Sequence, residues 1–291
     1  MLSSWKPNSR AQYKTYIKQW EHYCQQNLLN PNTTTLKIGT EFLHTLFNKG
    51  LGYSAINTAS SALSAILTPI DGLDFGKHPV IKKFLTGVFK IRPSIPKYIC
   101  TFNVERVLRF LKSLPTWEQI TLKQQTKKFA TLLAILTTQR CQTINVLHLD
   151  KMDLEPERVI FYIPEPLKNT TQNFHAAPIR LSAYPEDESI CPVRNTVEYI
   201  KATHNLRKTC RKLIISFHNH TEVTTQTVRR YVVDTLEEAG INVQVFRAHS
   251  TRSASSSYNQ TKGVPLKDII SARGWKNSNT FQKHYNLPIV E

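Results

Sequence analysis

Six residues from position 140 onward have side chains that together could cut a phosphodiester: Arg140, Lys168, His249, Arg252, Trp275 and Tyr285. Four of them fall close together, in R-A-H-S-T-R at 247–252, in G-V-P-L-K-D-I-I-S-A-R-G-W at 263–275, and in N-T-F-Q-K-H-Y-N, which ends just past Tyr285. Cleavage at neutral pH must place charge on a pentavalent phosphorus, activate a nucleophile and protonate a leaving alkoxide. Two guanidiniums suit the first task, because their charge is permanent and their fork matches phosphate oxygens. A tyrosine nucleophile would store the bond energy in a covalent phosphotyrosine, so rejoining would need no ATP. This chemistry calls for no metal and no other cofactor.

Taken singly, these residues have ordinary readings. Arg140 directly follows the apolar stretch F-A-T-L-L-A-I-L and T-T-Q, where a charge needs a partner or a ligand, yet a lone arginine there reads as structural. Lys168 falls in a hairpin turn, where lysines are usually just solvated, and Lys151 is the alternative to it. H-x-x-R occurs often by chance. The chain has eleven tyrosines, and most tyrosines sit at core edges.

The combination is specific. H-S-T-R followed by G-V-P-L-K-D-I-I-S-A-R-G-W resembles the H-x-x-R and G-x-x-L-x-x-I-x-x-x-L-G-H motifs of the tyrosine recombinases, the phage-integrase-like enzymes that break and rejoin DNA. The resemblance covers almost the whole chain, more specifically in its second part. It implies that Arg140 and Arg252 clamp the scissile phosphate. His249 would hydrogen-bond that phosphate and assist proton transfer at Tyr285, the nucleophile. Lys168, on a mobile hairpin, would protonate the leaving 5′ oxygen, since neighbouring cations lower a lysine pKa. Trp275 replaces the commoner histidine; its indole N–H can donate and its ring can pack, but it is no base. Tyr258 follows H-S-T-R too closely to be the nucleophile, and His284 reads as a neighbour facing elsewhere. Gln139 stands where the family has glycine, Thr143 where it has an acid, and Arg273 where it has leucine. Q-R-C-Q-T and the opening S-W-K-P-N-S-R-A-Q-Y-K-T-Y-I-K-Q-W are similar to recombinases of DIRS-type retrotransposons and related eukaryotic mobile elements.

By the same resemblance the protein is a site-specific recombinase or integrase acting through a 3′-phosphotyrosine. Two domains would form a clamp around double-stranded DNA, and dimers or tetramers assembled on DNA would pass through a Holliday junction. A type IB topoisomerase-like relaxer, a host-adopted DNA-binding protein that no longer cuts, and a plain architectural basic protein are the alternatives.

The rest of the sequence must position these groups. Lys and Arg number 38 against 21 acids, for a net charge of +17, which draws polyanions. No apolar run nears the roughly 20 residues that span a bilayer, and the N-terminus lacks the apolar core of a signal peptide. An intracellular, nuclear protein with no membrane partner is expected. Five scattered cysteines without C-x-x-C predict reduced, mostly buried thiols. Helical spacing predicts helices at 10–29, 38–48, 54–67 and 79–91, an all-helical unit over 1–91. R-P-S-I-P-K-Y-I at 92–99 reads as a linker. The remainder, 100–291, predicts helices near 103–113, 123–139, 192–204, 224–239 and 268–272, with strands over 158–164 and 176–181 joined by a hairpin. The expected fold is mainly α with a small β-sheet: an N-terminal helical core-binding domain and an α+β tyrosine-recombinase catalytic domain. H-N-H at 218–220 reads as chance, and R-K-T-C-R-K at 207–212 as a solvated basic loop. Only six residues follow Tyr285, too few for a helix that docks on a neighbour. A monomer in free solution is therefore expected, and a stable DNA-free tetramer by light scattering would contradict it.

Overall fold

The computed structural model describes residues 7–95, 98–165, 177–272 and 285–290. The chain is mainly helical with two small sheets, and it divides into units Met1–Lys97 and Tyr98–Glu291.

The first unit holds helices α1 (Pro7–Gln26), α2 (Leu36–Asn48), α3 (Tyr53–Ser64) and α4 (Pro79–Ile91). Local chemistry sets their ends. Helix α1 stops short of the predicted 29 because Leu28 is left-handed (φ 55°) and the Asn27 amide folds back on the Tyr23 carbonyl at 2.8 Å. Thr35 caps α2 by accepting from the Ile38 N–H, and Pro79 opens α4 behind His78. The core forms around fully buried Trp20. Its indole donates to the Pro31 carbonyl at 2.9 Å, and its ring meets Phe42 edge-on at 5.2 Å. Gly39 lets α2 lie directly on the Phe75 ring, which a Cβ at that position would strike.

The predicted linker is partly claimed by the units it joins. Arg92 ends α4, donates to the carbonyls of Phe47 and Leu51, and lies 4.0 Å over the Phe47 ring. In the second unit Tyr98 stacks on Phe246 at 6.4 Å. Pro96 and Lys97 lie outside the described residues.

The second unit is built on helix α6 (Leu122–Thr137), opened by a Thr121–Gln124 capping box. It packs against α8 (Pro192–Thr203), α9 (Thr225–Glu238) and α10 (Ser250–Thr261), with α5 (Val104–Ser113) bearing on α9 and α10. Its polar-looking start is also buried. Lys127 reaches Asp234 at 2.9 Å and Glu238 at 3.1 Å on α9, and Lys128 lies 5.7 Å over the Trp117 ring. The predicted hairpin is strands β3 (Arg158–Phe161) and β4 (Ile179–Ser182), paired antiparallel with Phe161 opposite Ile179. An unpredicted strand β2 (Met152–Glu155) completes that sheet. The connection at 166–176, with Lys168, lies outside the described residues. Two further strands, β1 (Thr101–Phe102) and β5 (Ile289–Val290), pair in parallel and bring the end of the chain back to the start of this unit.

R-K-T-C-R-K is not a solvated loop throughout. Arg207 is buried and donates to the Thr203 hydroxyl at 2.9 Å and to the carbonyls of Lys212 at 2.6 Å and Leu213 at 2.9 Å. It satisfies the backbone of its own turn. H-N-H is the tip of a tight turn, closed by Ser216 N–H on the Thr221 carbonyl at 2.9 Å.

Gly39→Ala should destabilise the protein by about 1–3 kcal/mol through overpacking against Phe75, measured by urea unfolding. Phe75→Leu in the same chain should recover part of that loss.

Candidate active site

Arg140 is placed by the way α6 ends. Thr138 turns the chain in the left-handed region (φ 55°), whereas Gln139 has no positive φ. The turn therefore needs no glycine at 139, and the departure from the family pattern is tolerated there. Arg140 (φ −72°, ψ 148°) then caps the short helix α7 (Cys141–Asn145). Buried Cys141, Thr143 and Ile144 seat α7, which packs against α6 and α9. Burial pushes the Cys141 thiol up to about 11, against the opposing pull of Arg229. Arg140 thus has a neutral neighbour at physiological pH.

His249 and Arg252 are carried by α10, which spacing alone did not predict as a helix. Its residues 250–257 are all buried, six of them Ser or Thr. With no apolar stripe, the helix packs closely on its neighbours through small side chains. The Ser253 hydroxyl lies 3.4 Å from that of Thr101 in β1. Ser257 donates to the Tyr285 carbonyl at 2.8 Å and accepts from the Leu287 N–H at 3.0 Å. His249 stands exposed at the start of the helix, and Arg252 is fully buried.

Tyr285 closes the site. It is 8% exposed and packs with Leu266, Ile269 and Ile270 of α11 (Leu266–Ala272). Its ring lies 6.3 Å from that of His249 at 65°, and the Arg252 guanidinium carbon is 5.5 Å from its centroid. Burial lowers the Arg252 pKa; Tyr285 opposes this by charge and hydrogen bonding, while the charge of Arg140 adds to it. Two cations held within mutual influence, one of them desolvated, favour an incoming anion with a matching pair of oxygens.

The structure therefore brings Arg140, His249, Arg252 and Tyr285 to one place. Lys168 and Trp275, together with Arg273 and His284, lie outside the described residues. Lys151 is exposed at the foot of β2. Tyr258 is otherwise engaged. Its hydroxyl donates to Glu105 at 2.7 Å, and Lys262 holds the same carboxylate at 3.2 Å. Burial and that hydrogen bond raise its pKa, which suits a strut between α5 and α10. Among the described residues no three His, Cys, Asp or Glu side chains gather as a metal site, and no helix is long and apolar enough to cross a membrane. Ser257 was not singled out from the sequence. Its signal was the recurrence of serine at 250, 253 and 257, one helical face.

Two arginines and a histidine thus gather at a buried tyrosine on a mainly helical fold. The phage integrase family profile matches residues 98–288, and the chain belongs to that family, whose members cut and rejoin DNA through a tyrosine. The whole chain is similar in fold to solved structures of three relatives. The XerH site-specific recombinase on its palindromic difH substrate, a post-cleavage complex, has a TM-score of 0.62 at 14% identity, covering 93% of this chain and 74% of that one. The Tn1549 transposon integrase with transposon right-end DNA gives 0.62 at 16%, covering 96% and 89%. A lambda integrase dimer bound to a COC′ core site gives 0.54 at 15%, covering 97% and 89%. Among curated proteins none matches the chain.

At pH 8 native Cys141 should resist iodoacetamide and react fully once the chain is unfolded, as read by peptide mass spectrometry. Native labelling at the unfolded rate would contradict its placement.

Proposed function

We propose that this chain is a site-specific DNA recombinase that cuts one strand with Tyr285 and rejoins it to another. The observation that carries this reading is Arg252, fully buried, set against the Tyr285 ring and under the charge of Arg140. Arg140 and Arg252 take the non-bridging oxygens of the phosphate, and His249 hydrogen-bonds it. The phenolic oxygen attacks phosphorus and gives up its proton with the help of His249. The bond from phosphorus to the 5′ oxygen breaks, leaving a 3′-phosphotyrosine. Lys168 supplies the proton to the 5′ oxygen, and the indole N–H of Trp275 is a donor for the phosphate. A 5′ hydroxyl from a second strand then attacks the phosphotyrosine and reverses the step. Because Tyr285 lies against Arg252 of its own chain, the tyrosine acts in cis.

Double-stranded DNA is the partner. The net charge of +17 supports this, as do Arg229 and Arg230, exposed on α9 and without an ion pair among the described residues. Residues 1–91 act as a core-binding domain and 100–291 as the catalytic domain. The DNA complexes of the XerH, Tn1549 and lambda enzymes, the last a dimer, support a reading in which protomers assemble on paired sites. The resemblance of Q-R-C-Q-T to DIRS-type elements supports a role in a mobile element of a nucleus.

The test is covalent trapping on nicked duplexes of random sequence. The native protein should form an SDS-resistant adduct. Tyr285→Phe should form none while keeping salt-sensitive DNA binding. An adduct with Tyr285→Phe would sink the assignment. Relaxation of any plasmid, without paired sites, would mark a topoisomerase instead.

A further inference from the structure

We infer that Ser257 is a positioning residue for the nucleophile, locking the backbone at Tyr285 onto the helix that carries Arg252. The inference rests on the cutting role proposed for Tyr285. Ser257 is 3% exposed, and its one hydroxyl works in both senses. It donates to the Tyr285 carbonyl at 2.8 Å and accepts from the Leu287 N–H at 3.0 Å. Those two groups flank the peptides that follow the tyrosine. Arg252 lies five residues earlier on the same helix, so a single rigid element fixes both the guanidinium and the chain that bears the phenol.

The next residues are held as well. The Thr101 N–H donates to the Pro288 carbonyl at 2.8 Å and the Asn103 N–H to the Val290 carbonyl at 3.1 Å. Strand β1 is in turn held to α10 through Thr101 and Ser253. The segment after Tyr285 thus returns to α10 by two routes, and Ser257 is the direct one. Alanine at 257 would remove both hydrogen bonds at a buried place. It would leave the residues that touch the phosphate untouched. A displacement of about 1 Å at a reacting group costs on the order of 10²-fold in rate.

Ser255 provides the matched control. It sits on the same helix, equally 3% exposed, and its hydroxyl has no hydrogen-bond partner among the described residues. The experiment uses full-length protein as Ser257→Ala, Ser257→Thr and Ser255→Ala, with two readouts. Hydrogen–deuterium exchange of the peptide containing Leu287 should rise roughly tenfold in Ser257→Ala and stay native in Ser255→Ala and Ser257→Thr. Adduct formation on the nicked-duplex library, per protein bound, should fall about 10–100-fold in Ser257→Ala, with DNA affinity unchanged and activity restored by threonine. Native exchange in Ser257→Ala overturns the inference. So does faster exchange with adduct formation at the native rate, the mark of a purely structural hydroxyl. No adduct from the native protein would instead overturn the cutting role itself.

Discussion

The second unit is organised around one buried contact, that of the Arg252 guanidinium with Tyr285. A guanidinium removed from water is costly unless its charge and donors are used. Here the phenol engages it from one side, while Arg140 raises the local positive potential. In the proposed mechanism a phosphate bridging the two cations would offset the cost of holding them together. Preorganised charge of this kind acts on the transition state without reorganisation. Burial, against the pull of Arg229, is what holds the neighbouring Cys141 neutral.

Several features of the fold serve that contact. Helix α10 buries a full guanidinium because its other side chains are small, and serine after serine lets it sink between α5, α6 and β1. Helix α6 is pinned to α9 by Lys127 and ends in a left-handed residue that delivers Arg140. The C-terminal strand β5 closes on β1, which fixes the chain just beyond Tyr285. Tyr285 is therefore a residue of α10's surroundings as much as of its own segment.

The helical character of the chain, the β3–β4 hairpin and the limits of α4 and α8 were legible, because each follows from apolar spacing or from a capping residue. The candidate site came from the resemblance of H-S-T-R and the 263–275 segment to the tyrosine recombinases. Structure then supplied a common location for Arg140, His249, Arg252 and Tyr285, whereas Lys168 and Trp275 fall outside the described residues. What escaped had physical reasons. Helix α10 has no apolar stripe to betray it. Strands β1 and β5 are two residues each and exist only because they find one another across the length of the unit. Lys127 and Arg207 look like surface cations, and their burial depends on acids of α9 and on carbonyls of a turn. Ser257 is one hydroxyl among many until Leu287 and Tyr285 are placed beside it.

The most direct test is to find which side chain carries the DNA. The adduct would be trapped on nicked duplexes, digested with nuclease and protease, and the nucleotide remnant located by tandem mass spectrometry. The account predicts a phosphonucleotide on Tyr285. A remnant on Tyr258 or any other residue, or DNA bound tightly with no remnant at all, would contradict it.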